Sequence, residues 1–379
     1  MSDETVFRPG LKGVVLAESD ICLIDGERGR LRYRGYDIQD LADHSTFEET
    51  TYLLLEGRLP TDTELRSFGA ELARQRALST EELGVLAALP EESTPMDALR
   101  TMMSAIGGSD AHAEDTDETA NRRKALRSIA VVPTILAGYH RLREGLEPIA
   151  PREDLGHAAN FLHMMTGEPP DETSARVFDV CLVLHADHGF NASTFAARVA
   201  ASTLGDVYSA MTAAIATLIG PLHGGANARV LDMLEGIGDV ERVRGAIEAK
   251  LANKERIWGL GHRVYKAKDP RAVALESLID ELASARGESR LYRVAKEVET
   301  VGTEMLGDKG IYPNVDFYSG VCYNMLGIPT DLFTPIFAMG RISGWATHVL
   351  EQYAENVLIR PLGHYTGPEL SAYTPLEER

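Results

Sequence analysis

After Arg34 the chain offers no second segment that reads as strand. Apolar residues recur at helical spacing in segment after segment, and Gly or Pro closes most of them. Such a chain can bury its core only by packing helix on helix. FEETTYLLLEGRLP stops at Gly57 and Pro60, and TDTELRSFGAELARQRAL opens on a Thr61–Asp62 cap. PMDALRTMMSAIGG starts on Pro95 and ends on the pair Gly107–Gly108. NRRKALRSIAVVPTILAGYHRLREG is interrupted at Pro133, where a kink or break is expected. Only the start alternates apolar and polar residues: VVLAESDICLID, the turn GERG, then RLRYRG. The expectation is a nearly all-α protein with one short β-hairpin over Val14 to Arg34.

At 379 residues the chain suits one large domain and a smaller one. FAARVAASTLGDVYSAMTAAIATLIG is rich in Ala, Ser and Thr, side chains that let helices approach closely, inside a core or across a dimer interface. GDVERVRGAIEAKLANKERI and DPRAVALESLIDELASARG are more polar and suit the surface helices of an inserted small domain. The formal charge of −19, with no basic patch, argues against a nucleic-acid partner and suits a soluble protein. No apolar run is long enough to span a bilayer, and MSDETVFRPG has no signal-peptide core, so a cytoplasmic location is expected. Cys22, Cys181 and Cys322 are far apart and read as reduced thiols.

Eleven histidines can be sorted by context. His44, His112, His140 and His364 lie among polar or loop residues; His157, His163 and His348 read as packing or surface residues of helices. In LHADHGFNASTF, His185 and His188 are three apart and would share a helix face. His185 reads as a buried polar histidine, and His188, before Gly189, as a ligand-facing one. His223, in GPLHGGAN, follows Pro221 and precedes two glycines, which places it near a helix N-terminus. The helix dipole there favours a neutral imidazole, able to donate to a developing enolate. His262, in WGLGHRVYKAKDPRAVAL, heads a local run of Arg263, Lys266, Lys268 and Arg271 that would suit a polyanionic ligand. Asp316 sits between Val315 and Phe317, a setting that desolvates a carboxylate and strengthens it as a base. Arg341, inside the apolar run FAMGRISGW, needs a carboxylate or phosphate partner if buried; Arg360, before Pro361, is a weaker candidate.

RYRGYDIQDLA, LHADHGFNASTF, GPLHGGAN, GLGHRVYKAKDPRA, YPNVDFYSG and RPLGHYTGP occur in the order and spacing of citrate synthases of the short type, and the chain resembles that family from about Gly10 to its end. The resemblance implies a citrate-synthase-like two-domain helical fold, with residues 1–223 and 325–379 in a large, dimer-forming domain and 224–324 in a small one that closes over the site. It implies condensation of acetyl-CoA with oxaloacetate, with Asp316 as base on the acetyl methyl, His223 on the thioester oxygen and His262 on the keto carbonyl. His188, Arg271, Arg341 and Arg360 match oxaloacetate positions, Arg360 reaching the neighbouring subunit's site. Lys266, Arg263 and Lys309 match positions near CoA. No metal and no bound cofactor is implied. Leu362 stands where many members carry a second arginine, and Thr94 where many carry histidine.

The nearest rival is a 2-methylcitrate synthase using propionyl-CoA, because one methylene changes discrimination by only about 1–3 kcal/mol. A catalytically silent binding protein of this fold, and a metalloenzyme built on the HADH segment, are more distant alternatives.

Overall fold

The computed structural model describes residues 7–262 and 264–379. Arg263 therefore lies outside the described residues. Among the described residues the fold is helical, apart from one small antiparallel sheet near the N-terminus: β1 (Cys22–Asp25), β2 (Arg30–Tyr33) and β3 (Tyr36–Asp37), in that order. Cys22 faces Tyr33 and Asp25 faces Arg30 across the first pair. The expected hairpin is present but shorter: Val14 to Asp20 pair with nothing in the sheet, and a third strand follows Gly35.

Sixteen α-helices follow among the described residues: α1 (Ile38–His44), α2 (Phe47–Glu56), α3 (Asp62–Arg74), α4 (Thr80–Ala87), α5 (Pro95–Ser109), α6 (Glu118–Arg143), α7 (His157–Thr166) and α8 (Glu172–His185). Next come α9 (Ala192–Ser202), α10 (Val207–Leu218), α11 (Ala226–Ile237), α12 (Val243–Ala252), α13 (Pro270–Arg286), α14 (Arg290–Leu306), α15 (Val315–Met325) and α16 (Phe333–Ala354). The starts follow capping chemistry. Thr61, Ser79 and Thr94 each close a capping box with an acid three residues on. Gly57 and Gly167 end α2 and α7 in the left-handed conformation.

One local signal misleads. Pro133 interrupts nothing, since α6 runs through it, buried from Ala125 to Tyr139 apart from the partly exposed Arg127. Packing on both sides outweighs the lost hydrogen bond. The pair Gly107–Gly108 does stand at the end of α5, which closes at Ser109; a Cβ at Gly107 would meet Tyr208 at 2.8 Å, so this glycine also serves a close helix contact. His44 and His140, expected among polar or loop residues, lie on α1 and α6.

The apolar faces of α5, α6, α8, α9, α10 and α16 meet in one continuous core, with Trp345 of α16 fully buried. Helices α11 to α15 pack chiefly on one another, and α13 and α15 also rest on α8. Among the described residues, no helix is long and apolar enough to cross a membrane.

Candidate active site

The site candidates converge where α8 ends, α11 begins and α15 begins. His185 is the last residue of α8, whereas His188 lies beyond it in a loop, so the two share no helix face. His185 is fully buried, with Nδ1 2.6 Å from the Cys181 carbonyl oxygen. His188 instead stands 5.5 Å from His262, ring centre to ring centre, with its Nε2 3.1 Å from the Tyr265 hydroxyl.

The two remaining histidines are held as opposite tautomers. On His262, Nδ1 accepts the backbone N–H of Val264 at 3.0 Å and of Tyr265 at 3.2 Å. Its proton must then sit on Nε2. On His223, Nε2 faces the Ser193 hydroxyl at 2.7 Å and accepts the Ser193 backbone N–H at 3.3 Å. The Ser193 oxygen already accepts from Trp345 Nε1 at 3.1 Å. The Ser193 hydroxyl also reaches Asn191 Oδ1 at 2.7 Å, so it is the Ser193 backbone N–H that makes Nε2 an acceptor, which leaves Nδ1–H to donate. Burial first, then Arg341, pushes His223 down to about 4. Burial, then Arg271, does the same to His262, also to about 4. Both are therefore neutral donors at neutral pH. His223 lies three residues before α11, so the helix N-terminus is near, but desolvation dominates.

Asp316 lies in the first turn of α15, which Asn314 caps by accepting its N–H at 3.0 Å. A helix N-terminus favours an ionised carboxylate. Burial outweighs that here and, with Arg271 and Arg341 opposing, pushes Asp316 up to about 6. A short ladder fixes Asp316 relative to His262. Gly261 N–H donates to Tyr312 O at 2.8 Å, Asn314 N–H to Gly259 O at 2.9 Å, and Asn314 Nδ2 to Gly261 O at 2.8 Å. Gly259 is required at this crossing: its φ is +81°, and a Cβ would lie 2.7 Å from Phe317.

Two buried guanidinium groups act on this space. Arg271 is bound by both oxygens of Asp269, at 3.0 and 2.8 Å, and Asp269 also accepts Val315 N–H at 3.3 Å, at the start of the helix bearing Asp316. Arg341 is different. It is only 2% exposed, its Nε donates to His185 O at 2.6 Å, and its guanidinium lies over Phe337 at 4.6 Å. Among the described residues no carboxylate comes within ion-pair distance of it; burial lowers its pKa and the more distant Asp187 only partly offsets that. The charge of Arg341 or Arg271 reaches His188, His223, His262 and Asp316.

The other candidates are exposed, though the charge of Lys266 still reaches His262. Arg360 is exposed on the extended segment after α16 and is not brought to this site within one chain. Lys266 and Lys309 are exposed on adjoining segments; a Cβ at Gly310 would lie 3.0 Å from Lys266 O. Lys268, in the same basic run, is instead tied to Glu276 and Glu299. No group of three or more His, Cys, Asp or Glu among the described residues is arranged to hold a metal.

Sequence reading missed Ser193, Tyr265, Asp269, Asn314 and Trp345. Asp269 and Asn314 carried a findable signal, since each precedes a helix start as Asp-Pro or Asn-Val. Ser193 and Trp345 carried none.

The family model described as "Citrate synthase, C-terminal domain" matches residues 10–362. The chain belongs to the citrate synthase family. It is 48% identical to citrate synthase of Synechocystis sp. over 379 residues, covering 100% of this chain and 96% of that one. It is 45% identical to 2-methylcitrate synthase of Mycobacterium tuberculosis, covering 96% of this chain and 91% of that one. The fold is similar to that of citrate synthase from Thermoplasma acidophilum, solved as a ternary complex with carboxymethyl coenzyme A and oxaloacetate: TM-score 0.91, 34% identity, 98% and 99% of the two chains covered.

Proposed function

We propose that the protein is a citrate synthase, condensing acetyl-CoA with oxaloacetate and releasing citrate and CoA after hydrolysis. The observation that carries this reading is a pair of neutral histidine donors held as opposite tautomers, His262 being tied by the 259–314 ladder to the segment of a buried carboxyl group pushed up to about 6. Asp316 takes a proton from the acetyl methyl group. The enolate oxygen that forms accepts from His223 Nδ1–H. The enol carbon attacks the keto carbon of oxaloacetate, whose oxygen accepts from His262 Nε2–H. Arg341 and Arg271 meet the keto acid's carboxylates, together with His188.

Residues 224–324 act as a small domain closing on the large one, which excludes water until the bond has formed. Lys266, Lys309 and Arg263 serve the CoA phosphates. The working unit is a homodimer in the cytoplasm, with Arg360 completing the neighbouring site. Its exposure on the tail, and the exposed small residues Ser104 and Gly108 of α5 and Ser209 and Ala216 of α10, support that reading. The mechanism requires no metal or other cofactor. Propionyl-CoA is the second acyl donor to test, because the 2-methylcitrate synthase relative is nearly as similar. Release of CoA thiol with oxaloacetate, compared for the two donors as kcat/KM, decides between them; no release with either sinks the enzyme reading.

The pH dependence follows from the same groups. Asp316 must be ionised to act as base, so its protonation below about pH 6 removes activity. His223 and His262, at about 4, stay neutral across that limb. The acid side of log kcat/KM should therefore fall with unit slope, with an apparent pKa near that of Asp316. A slope of two, or a midpoint near 4, would assign the limb to the histidines. Ser193→Ala should lower kcat roughly tenfold, the worth of one hydrogen bond to His223 Nε2. Unchanged kcat would mean that the Ser193 backbone N–H fixes the tautomer without the hydroxyl.

A further inference from the structure

The loops bearing His188 and His262 belong to different groups of helices, yet one element touches both. On the His188 side, the Tyr33 hydroxyl of β2 donates to Asp187 O at 2.9 Å, and Asp187 N–H donates to the Tyr33 hydroxyl oxygen at 3.2 Å. A Cβ at Gly189 would lie 3.3 Å from Ile24 of β1. On the His262 side, Lys266 N–H donates to Gly26 O at 2.9 Å, in the turn between β1 and β2. That turn lies so close that a Cβ at Gly26 would sit 2.3 Å from Val264 O, and one at Gly29 3.0 Å from Lys268 O. Tyr265 closes the arrangement. Among described residues 262–268 it alone is buried, with its ring 4.8 Å from His262, its hydroxyl 3.1 Å from His188 Nε2 and the Arg271 guanidinium 5.9 Å away.

We propose that the N-terminal sheet and Tyr265 form a clasp that sets His188 against His262, making Tyr265 and Gly26 positioning residues for the keto acid. This rests on the reading of the site as an oxaloacetate site. The sheet is anchored beside Asp187, and its glycine turn admits the backbone of the 264–268 loop without a side chain between them. The Tyr265 hydroxyl then fixes the His188 ring from the other side. Acetyl-CoA does not depend on His188 in this arrangement, so the effect is confined to one substrate.

Two variants test it. Tyr265→Phe keeps the ring and removes the hydroxyl; Gly26→Ala places a methyl group against Val264 O. In both, the Kd for oxaloacetate measured by calorimetry should rise about tenfold or more, the loss of one hydrogen bond or of its alignment. In Tyr265→Phe, the KM for oxaloacetate should rise with it, while the KM for acetyl-CoA and kcat at saturating oxaloacetate should stay within about twofold. Gly26→Ala also shifts the loop whose backbone holds His262 Nδ1 and which carries Lys266, so its readout is the oxaloacetate Kd alone. Unchanged oxaloacetate Kd in a folded Tyr265→Phe variant overturns the clasp, as does an equal rise in both KM values. Should Gly26→Ala misfold, Tyr265→Phe alone decides. Wild-type protein that binds oxaloacetate but releases no CoA would sink the proposed reaction while leaving the clasp to be judged by Kd. Wild-type protein that binds no oxaloacetate would overturn both.

Discussion

Asp316→Asn should lower kcat by on the order of 10³- to 10⁴-fold, while the Kd for oxaloacetate stays within a few-fold. The asparagine keeps the shape of the side chain in the first turn of α15, and Asn314 still caps that helix. What it loses is the lone pair that accepts a carbon-bound proton, a contribution of about 10²–10⁴ for a placed general base. The same change should raise Tm. Burial lifts the folded pKa to about 6 from an ordinary value of 3.8. A raised carboxyl pKa stabilises the fold fully only below the unfolded value, and that contribution is lost as pH rises through the folded value. At neutral pH the ionised Asp316 therefore costs stability, and a neutral amide removes the cost. Turnover near wild type would show that another group takes the proton. Collapsed activity with a lowered Tm would mark Asp316 as structural.

Arg341→Leu should weaken oxaloacetate binding by about 10²- to 10³-fold without lowering Tm. Removing one partner of a buried charged contact costs about 2–5 kcal/mol, and each 1.4 kcal/mol is a factor of ten. The opposite sign for stability follows from its surroundings. Arg341 is buried on α16, and no carboxylate among the described residues pairs with it. Leucine in that apolar setting replaces a charge whose desolvation nothing in the protein fully offsets. The loss is one hydrogen bond to His185 O. Arg271→Leu should behave differently: it would strand Asp269, which also holds the start of α15, so binding and Tm should fall together. Calorimetry with oxaloacetate and thermal melts of both variants check the contrast. Equal Tm losses would mean that Arg341 has a protein counter-charge in solution.

The contrast between these arginines shows where the sequence stops informing. Both stood out as cations in marked settings, yet only the three-dimensional neighbourhood separates one with a partner two residues before it from one with none. Helices were legible because capping and apolar spacing are local: Thr61, Ser79 and Thr94 announce α3, α4 and α5. Local rules failed at Pro133, where burial on several sides outweighs propensity. Spacing alone puts His185 and His188 on one helix face, because it cannot tell where a buried helix stops.

The amino-acid order by itself determined the helical class, the N-terminal sheet and which histidines, arginines and aspartate stand in glycine-flanked or apolar settings. Short-range effects write those directly into neighbouring residues. Tertiary structure alone decided the protonation pattern: Nδ1–H on His223, set by Ser193 from α9, and Nε2–H on His262, set by its own loop's backbone. It also decided that Arg341 lacks a carboxylate and that Asp269 joins Arg271 to the start of α15. Hydrogen-bond direction and desolvation depend on atoms far apart in sequence, and only folding brings those atoms within a few ångströms.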